Sequence, residues 1–216
     1  ANYGFVRTGK ITNNGNGGNG MQTAGICGFM AKDQGKLFQF CVNYGHISCP
    51  TGRTGGLVAT LMNGNVKNSD NRGTVEDDIV GKFEGAAAQN SYNSKRMGGL
   101  IGGTDDLKKV LTATVESCTN YGNVFTHIGC RTGGFIGHSN IRIIGCANQG
   151  AILGDGYNSD HGPAWACGYS GQSSGEWVNV SSCTMGGYVG SYTTYKDNPT
   201  SAPAATVHNA FSYKND

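Results

Sequence analysis

The chain is short of charge, of proline and of long apolar runs, and each shortage excludes a class of protein. Only 14% of its 216 residues are charged and the formal net charge is +2, which indicates neither a nucleic-acid-binding surface nor an acidic tail. No apolar run approaches the ~18 residues of a membrane-spanning helix, so we expect no membrane span. Because there are only four prolines and 37% of the residues are hydrophobic, disorder is disfavoured.

Glycine and asparagine are abundant instead. The sequence contains 37 glycines and 21 asparagines, the two residue types that most readily adopt positive φ and form turns. The segments between these turns are short and β-branched or glycine-rich, and no stretch longer than residues 105–116 has even a trace of helical period. This composition predicts an all-β protein with many turns.

Two short elements alternate along the chain. The first has a cysteine three residues after an apolar residue, then an asparagine and a glycine, as in FQFCVNYGHI, VESCTNYGNV and IIGCANQGAI. VKNSDNRGTV fits with Ser69 in the cysteine place, and VSSCTMGGYV keeps Cys183 but lacks the asparagine. The second starts with two glycines or their equivalents, and its copies are AGICGF, GGLVAT, GGLIGG, GGFIGH and WACGYS. The distances from Cys41 to Ser69 and from Cys118 to Cys146 are both 28 residues. Repeats of this length, made of short strands, predict a β-solenoid.

We therefore expect an all-β, right-handed parallel β-helix (β-solenoid) of about five to six coils. The hand follows from the usual right-handed crossover of parallel strands. Residues 1–190 would form the solenoid, and residues 191–216 an irregular C-terminal segment or a final partial coil. The opening ANYG is the second half of the first element, so we expect the chain to be a fragment that begins inside a longer solenoid.

Stacked coils would place equivalent residues in columns. A bend before each cysteine would return it to the interior, and the predicted cysteine column is Cys41, Cys118, Cys146 and Cys183. The asparagine two residues later would bond the backbone and its copy in the next coil, through Asn43, Asn71, Asn120 and Asn148. The glycine that follows would take a strained turn geometry. Reduced, packed cysteines are the preferred interpretation, with disulfides between coils as the alternative, and the absence of CxxC gives zinc no support.

Residues 55–75, GGLVATLMNGNVKNSDNRGTV, resemble the GLUG-motif repeat, and GGLIGG and GGFIGHSNIRIIGCANQGAI are similar to the same unit. The resemblance covers roughly residues 1–190 and implies a repeat of large secreted or surface-attached bacterial proteins, many of them adhesin-like and some carrying catalytic domains. The family has no universal catalytic residues, so it implies none here. The chain departs from the pattern at Ala59, in the insert at residues 76–97 and from Met185 onward.

Nearly all variation in repeat length falls between the G-x-V strand and the GG strand. The connecting segments are 18, 7, 22, 8 and 12 residues long, so the loops should cluster at one corner of the rod, where repeat proteins often bind ligands. Unconstrained loop variation is the alternative. The candidate binding residues at this corner are Asp77, Asp78, Asp155, Tyr157, Asp160, His161 and Trp165. We expect Trp165 to be a stacking platform for sugar, because it replaces a glycine of the other copies; the rival is that it fills space beside Cys167.

A second candidate surface lies just before the turn glycine. Tyr3, Tyr44, Arg72 and Tyr121 share this place and should face outward in a column, which makes Tyr44 and Tyr121 candidate sugar contacts. Packing of these side chains against each other alone is the alternative. No catalytic residue, metal ligand or cofactor is predicted.

The functional expectation is an extracellular or cell-surface module of a bacterial protein, acting as a stalk or adhesin and contacting a polysaccharide or host glycan. A carbohydrate-active β-helix enzyme, lyase or hydrolase, is the alternative, because paired carboxylates about 5–9.5 Å apart could cleave a glycoside. A subunit of an extracellular filament is a second alternative, because uncapped solenoid ends permit end-to-end association with another copy or with flanking parts of a longer chain.

Overall fold

A computed structural model describes residues 1–7, 22–30, 37–49, 52–77, 96–103, 113–126, 131–138 and 141–154, with shorter strand segments from 157 to 190. These residues form stacked parallel strands with no helix among them, which confirms the predicted all-β parallel β-helix. Consequently, no helix in the described ranges is long and apolar enough to cross a membrane. The hand of the winding stays a prediction.

Each coil contributes one strand to each of five sheets, named A to E in the order in which the chain visits them. Sheet A contains Val42–Asn43, Asp70–Asn71, Thr119–Asn120, Ala147–Asn148 and Thr184–Met185. Sheet B contains Val6–Arg7, Ile47–Ser48, Val75–Glu76, Val124–Thr126, Ile152–Gly154 and Val189–Gly190. Sheet C contains Gln22–Ala24, Arg53–Gly55, Arg96–Gly98, Arg131–Gly133 and Trp165–Cys167.

The other two sheets complete the coil. Sheet D contains Cys27–Met30, Val58–Leu61, Ile101–Gly103, Ile136–His138 and Ser170–Gln172. Sheet E contains Leu37–Gln39, Asn65–Lys67, Thr114–Glu116, Arg142–Ile144 and Asn179–Ser181. A separate antiparallel pair, Tyr157–Asn158 with Gly162–Pro163, lies within the connection from sheet B to sheet C, and it was not predicted.

Coils of unequal length keep the same register. Asp70 pairs with Thr119 and Asn71 with Asn120, although 49 residues separate each pair. The extra residues fall mainly between sheets B and C, as predicted, and a smaller variation occurs between sheets D and E. The connection from sheet B to sheet C is called the variable corner below.

The predicted bend before each cysteine is a single residue in the left-handed region. Phe40, Asn68 and Ser117 have φ of 55°, 47° and 51°, and Gly145 occupies the same place with φ of 58°. Such backbone is unusual for residues other than glycine, and it turns the chain from sheet E into sheet A. The residue after the bend thereby returns to the interior, since Cys118 and Cys146 are both buried.

The asparagines form the predicted ladder through the interior, here called the asparagine ladder. Its members are Asn2, Asn43, Asn71, Asn120 and Asn148. Each side-chain Nδ2 donates to the Oδ1 of the next asparagine at 2.7–2.8 Å. Each Nδ2 also donates to the carbonyl oxygen two residues ahead, as from Asn120 to Gly122 at 2.8 Å. Met185 takes the asparagine's place in the last described coil.

The glycine two residues after each asparagine is required because the adjacent coil leaves no space for a side chain. The prediction that this glycine has a strained backbone geometry is wrong. None of these glycines is among those with positive φ, which are Gly52, Gly64 and Gly145 in the described residues. A Cβ on Gly122 would lie 1.9 Å from the carbonyl oxygen of Gly73 in the adjacent coil, and a Cβ on Gly73 would lie equally close to the carbonyl oxygen of Gly45. The turns therefore stack with no room for a side chain.

The asparagine ladder divides the interior into two apolar clusters. It packs across the coil against the second glycine of each Gly-Gly pair, since a Cβ on Gly56 would lie 2.2 Å from Cγ of Asn71. One cluster, on the side of sheets D, E and A, includes Leu57, Val66, Ile101 and Phe135. The smaller cluster, on the side of sheets B and C, consists of Ile47, Val75, Met97, Val124 and Ile152, with Val6 against it.

The glycine stack generates a prediction that compares two equivalent positions. Gly122→Ala should lower the free energy of unfolding by about 3 kcal/mol, because the new methyl group meets backbone that cannot rotate away. Gly4→Ala is the matched control: its Cβ would have only an ordinary contact, 3.5 Å from Asn2 Oδ1, and stability should be nearly unchanged. Thermal unfolding followed by far-UV circular dichroism measures both, and equal effects would contradict the steric explanation.

The asparagine ladder generates a second prediction. Asn120→Asp keeps the shape of the side chain but replaces the Nδ2 donor to Gly122 and Asn148 with an acceptor in a fully buried place. We expect a loss of about 3 kcal/mol or more at neutral pH, since two acceptors and a buried charge are left uncompensated.

The pH dependence of this variant has a defined sign. Burial raises the pKa of the introduced carboxyl above its unfolded value of about 3.9, so protonation favours the folded state. The deficit should be largest above the raised pKa and should shrink as the pH falls towards about 4. Asn2→Asp at the partly exposed outer end of the asparagine ladder is the control, with a smaller deficit. A pH-independent deficit for Asn120→Asp would rule out the buried-charge explanation.

Candidate binding surface

Four side chains form a continuous outward column along the rod, here called the tyrosine–arginine column: Tyr3, Tyr44, Arg72 and Tyr121. Each follows an asparagine of the asparagine ladder, so the inner ladder sets the spacing of the outer column. Tyr44 and Tyr121 are 45% and 40% exposed, as predicted for an outward place.

The planar groups of the column stack on one another. The rings of Tyr3 and Tyr44 have centroids 4.9 Å apart and are inclined by 3°. The Arg72 guanidinium carbon lies 5.8 Å from the centroid of Tyr44 and 4.5 Å from that of Tyr121. These contacts cover the facing surfaces of the rings, which is the self-packing alternative. What the column offers a ligand is therefore its outer edge, with phenol hydroxyls and guanidinium N–H groups.

A second row of side chains, missed by sequence reasoning, lies beside the first. Phe5 and His46 stand two residues after Tyr3 and Tyr44, and their rings meet edge to face at a centroid distance of 4.9 Å. His46 Nε2 is 2.9 Å from Glu76 Oε1 of the next coil. The signal was present, since both residues occupy one place of the repeat, but histidine and phenylalanine do not look alike in a sequence pattern.

The described candidates of the variable corner, Asp77, Tyr157 and Trp165, lie at a different corner from Tyr44 and Tyr121. Asp77 follows the sheet B strand Val75–Glu76 and is only 1% exposed, so this candidate binding residue is covered in the structure. Its backbone N–H donates to the carbonyl oxygen of Phe125 at 3.2 Å, which ties it to the next coil. The remaining acidic candidates and the histidine lie outside the described residues, namely Asp78, Asp155, Asp160 and His161.

Trp165 and Tyr157 are placed by their strands. Trp165 pairs in register with Arg131, and it is Cys167 that pairs with Gly133. Trp165 thus continues the column of first residues of sheet C, after Gln22, Arg53, Arg96 and Arg131, and the expectation that it replaces a glycine is wrong. Tyr157 belongs to the antiparallel pair at the variable corner.

The cysteine column is structural. The thiol of Cys118 donates to the carbonyl oxygen of Glu116, and Cys41 and Cys146 make the same bond two residues back, at 3.2–3.5 Å. Ser69 in the same place does likewise with Lys67, at 2.7 Å. A hydrogen bond from the Cys146 side chain lowers the pKa of Cys118, and this outweighs the burial that would raise it.

The cysteines of this part of the chain are not cross-linked. Cys27, Cys41, Cys49, Cys118 and Cys146 form no disulfide, which agrees with reduced packing, and Cys183 lies outside the described residues. Cys27 and Cys167 lie in different sheets, D and C, so the two do not share a column. No group of three histidine, cysteine or acidic residues that could hold a metal ion occurs among the residues described.

The shared bond predicts which substitution the cysteine place tolerates. Cys118→Ser should keep the bond to Glu116 and cost at most about 1 kcal/mol, because Ser69 already serves in the adjacent coil. Cys118→Ala should cost more, since it removes the donor and leaves a small void. Urea unfolding of the two variants side by side measures the difference, and a serine variant weaker than the alanine variant would contradict it.

Comparison with known proteins adds no relative. No protein-family model, no curated protein and no solved structure matches this chain. The GLUG-motif resemblance therefore depends on the motif at residues 55–75 and its copies within the sequence itself.

Proposed function

We propose that the chain is a non-enzymatic, extracellular or cell-surface module of a bacterial protein, built from GLUG-like repeats, that contacts a polysaccharide along its outer surface. The observation that carries the proposal is the tyrosine–arginine column, which stacks three tyrosine rings and one guanidinium along the outer surface over four coils. A polymer lying along the rod would meet an equivalent side chain at each coil, about 4.8 Å apart. Repetition of weak contacts suits an extended chain better than a small molecule.

The disposition of the polar groups also supports binding over catalysis. The buried amides of the asparagine ladder are used between coils, and Asp77 is buried. Glu76 lies against His46, and Glu116 forms an ion pair with Lys67. Each of these carboxylates is therefore buried or engaged with a basic side chain, whereas glycoside hydrolysis uses two carboxylates that flank the substrate.

The test isolates the hydroxyls from the stack. Tyr44→Phe combined with Tyr121→Phe keeps both rings and their contacts, so the melting temperature should be unchanged. If the column edge binds sugar hydroxyls, affinity for a bound polysaccharide should fall about 5- to 150-fold through the loss of two hydrogen bonds. A panel of neutral and acidic polysaccharides, followed by affinity electrophoresis, provides the measurement.

Each other outcome identifies a different function. If the double variant binds a polysaccharide with unchanged affinity, the tyrosine hydroxyls do not contact it. The column would then serve only self-packing, and the polysaccharide would bind another part of the surface. Release of reducing ends at enzymatic rates from any polymer would make the chain a carbohydrate-active enzyme and overturn the proposal. Growth of the particle with protein concentration in sedimentation, without any glycan bound, would favour the filament alternative.

A further inference from the structure

We propose that Arg72 and the tyrosine edges on either side of it form a subsite for an anionic group, a carboxylate or a sulfate ester, of an acidic polysaccharide. This inference rests on the proposed function and narrows its ligand class. Arg72 is the cation of the tyrosine–arginine column, with its guanidinium between the rings of Tyr44 and Tyr121.

The guanidinium of Arg72 lies between two rings. Its carbon is over Tyr44 and Tyr121, 5.8 and 4.5 Å from the ring centroids, and the side chain is 45% exposed. A guanidinium covered on both sides in this way offers a ligand its edge. The edge carries the N–H donors, which match the paired oxygens of a carboxylate or sulfate. A side chain that is already restrained loses less conformational entropy when it binds, so the stack prepares the group for an anion.

The ion pair at Arg72 leaves capacity for a ligand. Asp70 Oδ2 lies 3.4 Å from one terminal nitrogen of Arg72, and the two side chains are 27% and 45% exposed. Exposed pairs of this length contribute little, and a guanidinium has five N–H donors. An incoming anion can therefore share or replace Asp70 at small cost.

Arg53, Arg96, Lys67 and Arg142 do not offer this combination. Arg53 and Arg96 stack in sheet C but are only 6% and 8% exposed. Lys67 is paired with Glu116 across the coils. Arg142 is exposed on sheet E, where no aromatic ring contacts it among the described residues. Arg142 is thus a matched control for loss of one exposed positive charge.

The experiment compares variants on three probe polymers by isothermal titration calorimetry. The probes are polygalacturonate for carboxylates, dextran sulfate for sulfate esters and dextran for a neutral chain. Arg72→Gln should weaken binding of an anionic probe about tenfold or more, the range for losing charge-assisted hydrogen bonds, and should leave any binding of dextran unchanged. Asp70→Asn should strengthen anionic binding several-fold, because it removes the competing carboxylate. Arg142→Gln should change neither.

The outcomes separate this inference from the proposed function. Equal binding of dextran and the anionic probes, insensitive to Arg72→Gln, would overturn the anionic subsite and leave polysaccharide binding standing. Failure of every polysaccharide to bind would overturn both. Equal losses in Arg72→Gln and Arg142→Gln would mean general charge attraction and overturn the subsite. Binding of only one anionic probe would support it and identify carboxylate or sulfate as the group recognised.

Discussion

The hydrogen bond between asparagine side chains of successive coils is the interaction on which this fold depends. Four of the five amides are buried, and those of Asn43, Asn71 and Asn120 each donate to the asparagine of the next coil at 2.7–2.8 Å. An unpaired buried amide is costly, so the register of each coil is determined by its neighbour. The steric demands on the turns follow, since Gly122 must approach Gly73, and Gly99 must approach Asn120, too closely for any side chain.

The outer surface inherits its order from this interior. Tyr44, Arg72 and Tyr121 directly follow members of the asparagine ladder. They therefore occupy the equivalent position in three successive coils. A ring and a guanidinium stack well at this separation, and the column therefore forms without a dedicated scaffold. The same repeat therefore sets both the hydrogen bonds that stabilise the core and the spacing of the surface column that we propose to bind a ligand.

Sequence reasoning found the features that repetition makes visible. The alternation of the two elements predicted the parallel β-helix, the asparagine ladder and the outward column, because each repeats at one place. It failed where a contact depends on the neighbouring coil: the glycine turns looked strained but are crowded, and Asp77 looked like a loop residue but is covered. Trp165 was misplaced because its copy was aligned on glycine, whereas the strand pairs it with Arg131. The crowding of the glycines, the burial of Asp77 and the register of Trp165 cannot be predicted from the local sequence pattern, because each depends on how close another coil lies.

The parallel stacking has a mechanical consequence. The backbone hydrogen bonds join one coil to the next, as from Asp70 to Cys41 and from Thr119 to Ser69, and so they run along the rod axis. A force that pulls the ends of the rod apart acts along these bonds and can peel one coil at a time, whereas a force across the rod must shear five sheets together. The solenoid should therefore resist shear across its axis better than tension along it, so a load-carrying attachment would be better placed on its side than at its tip.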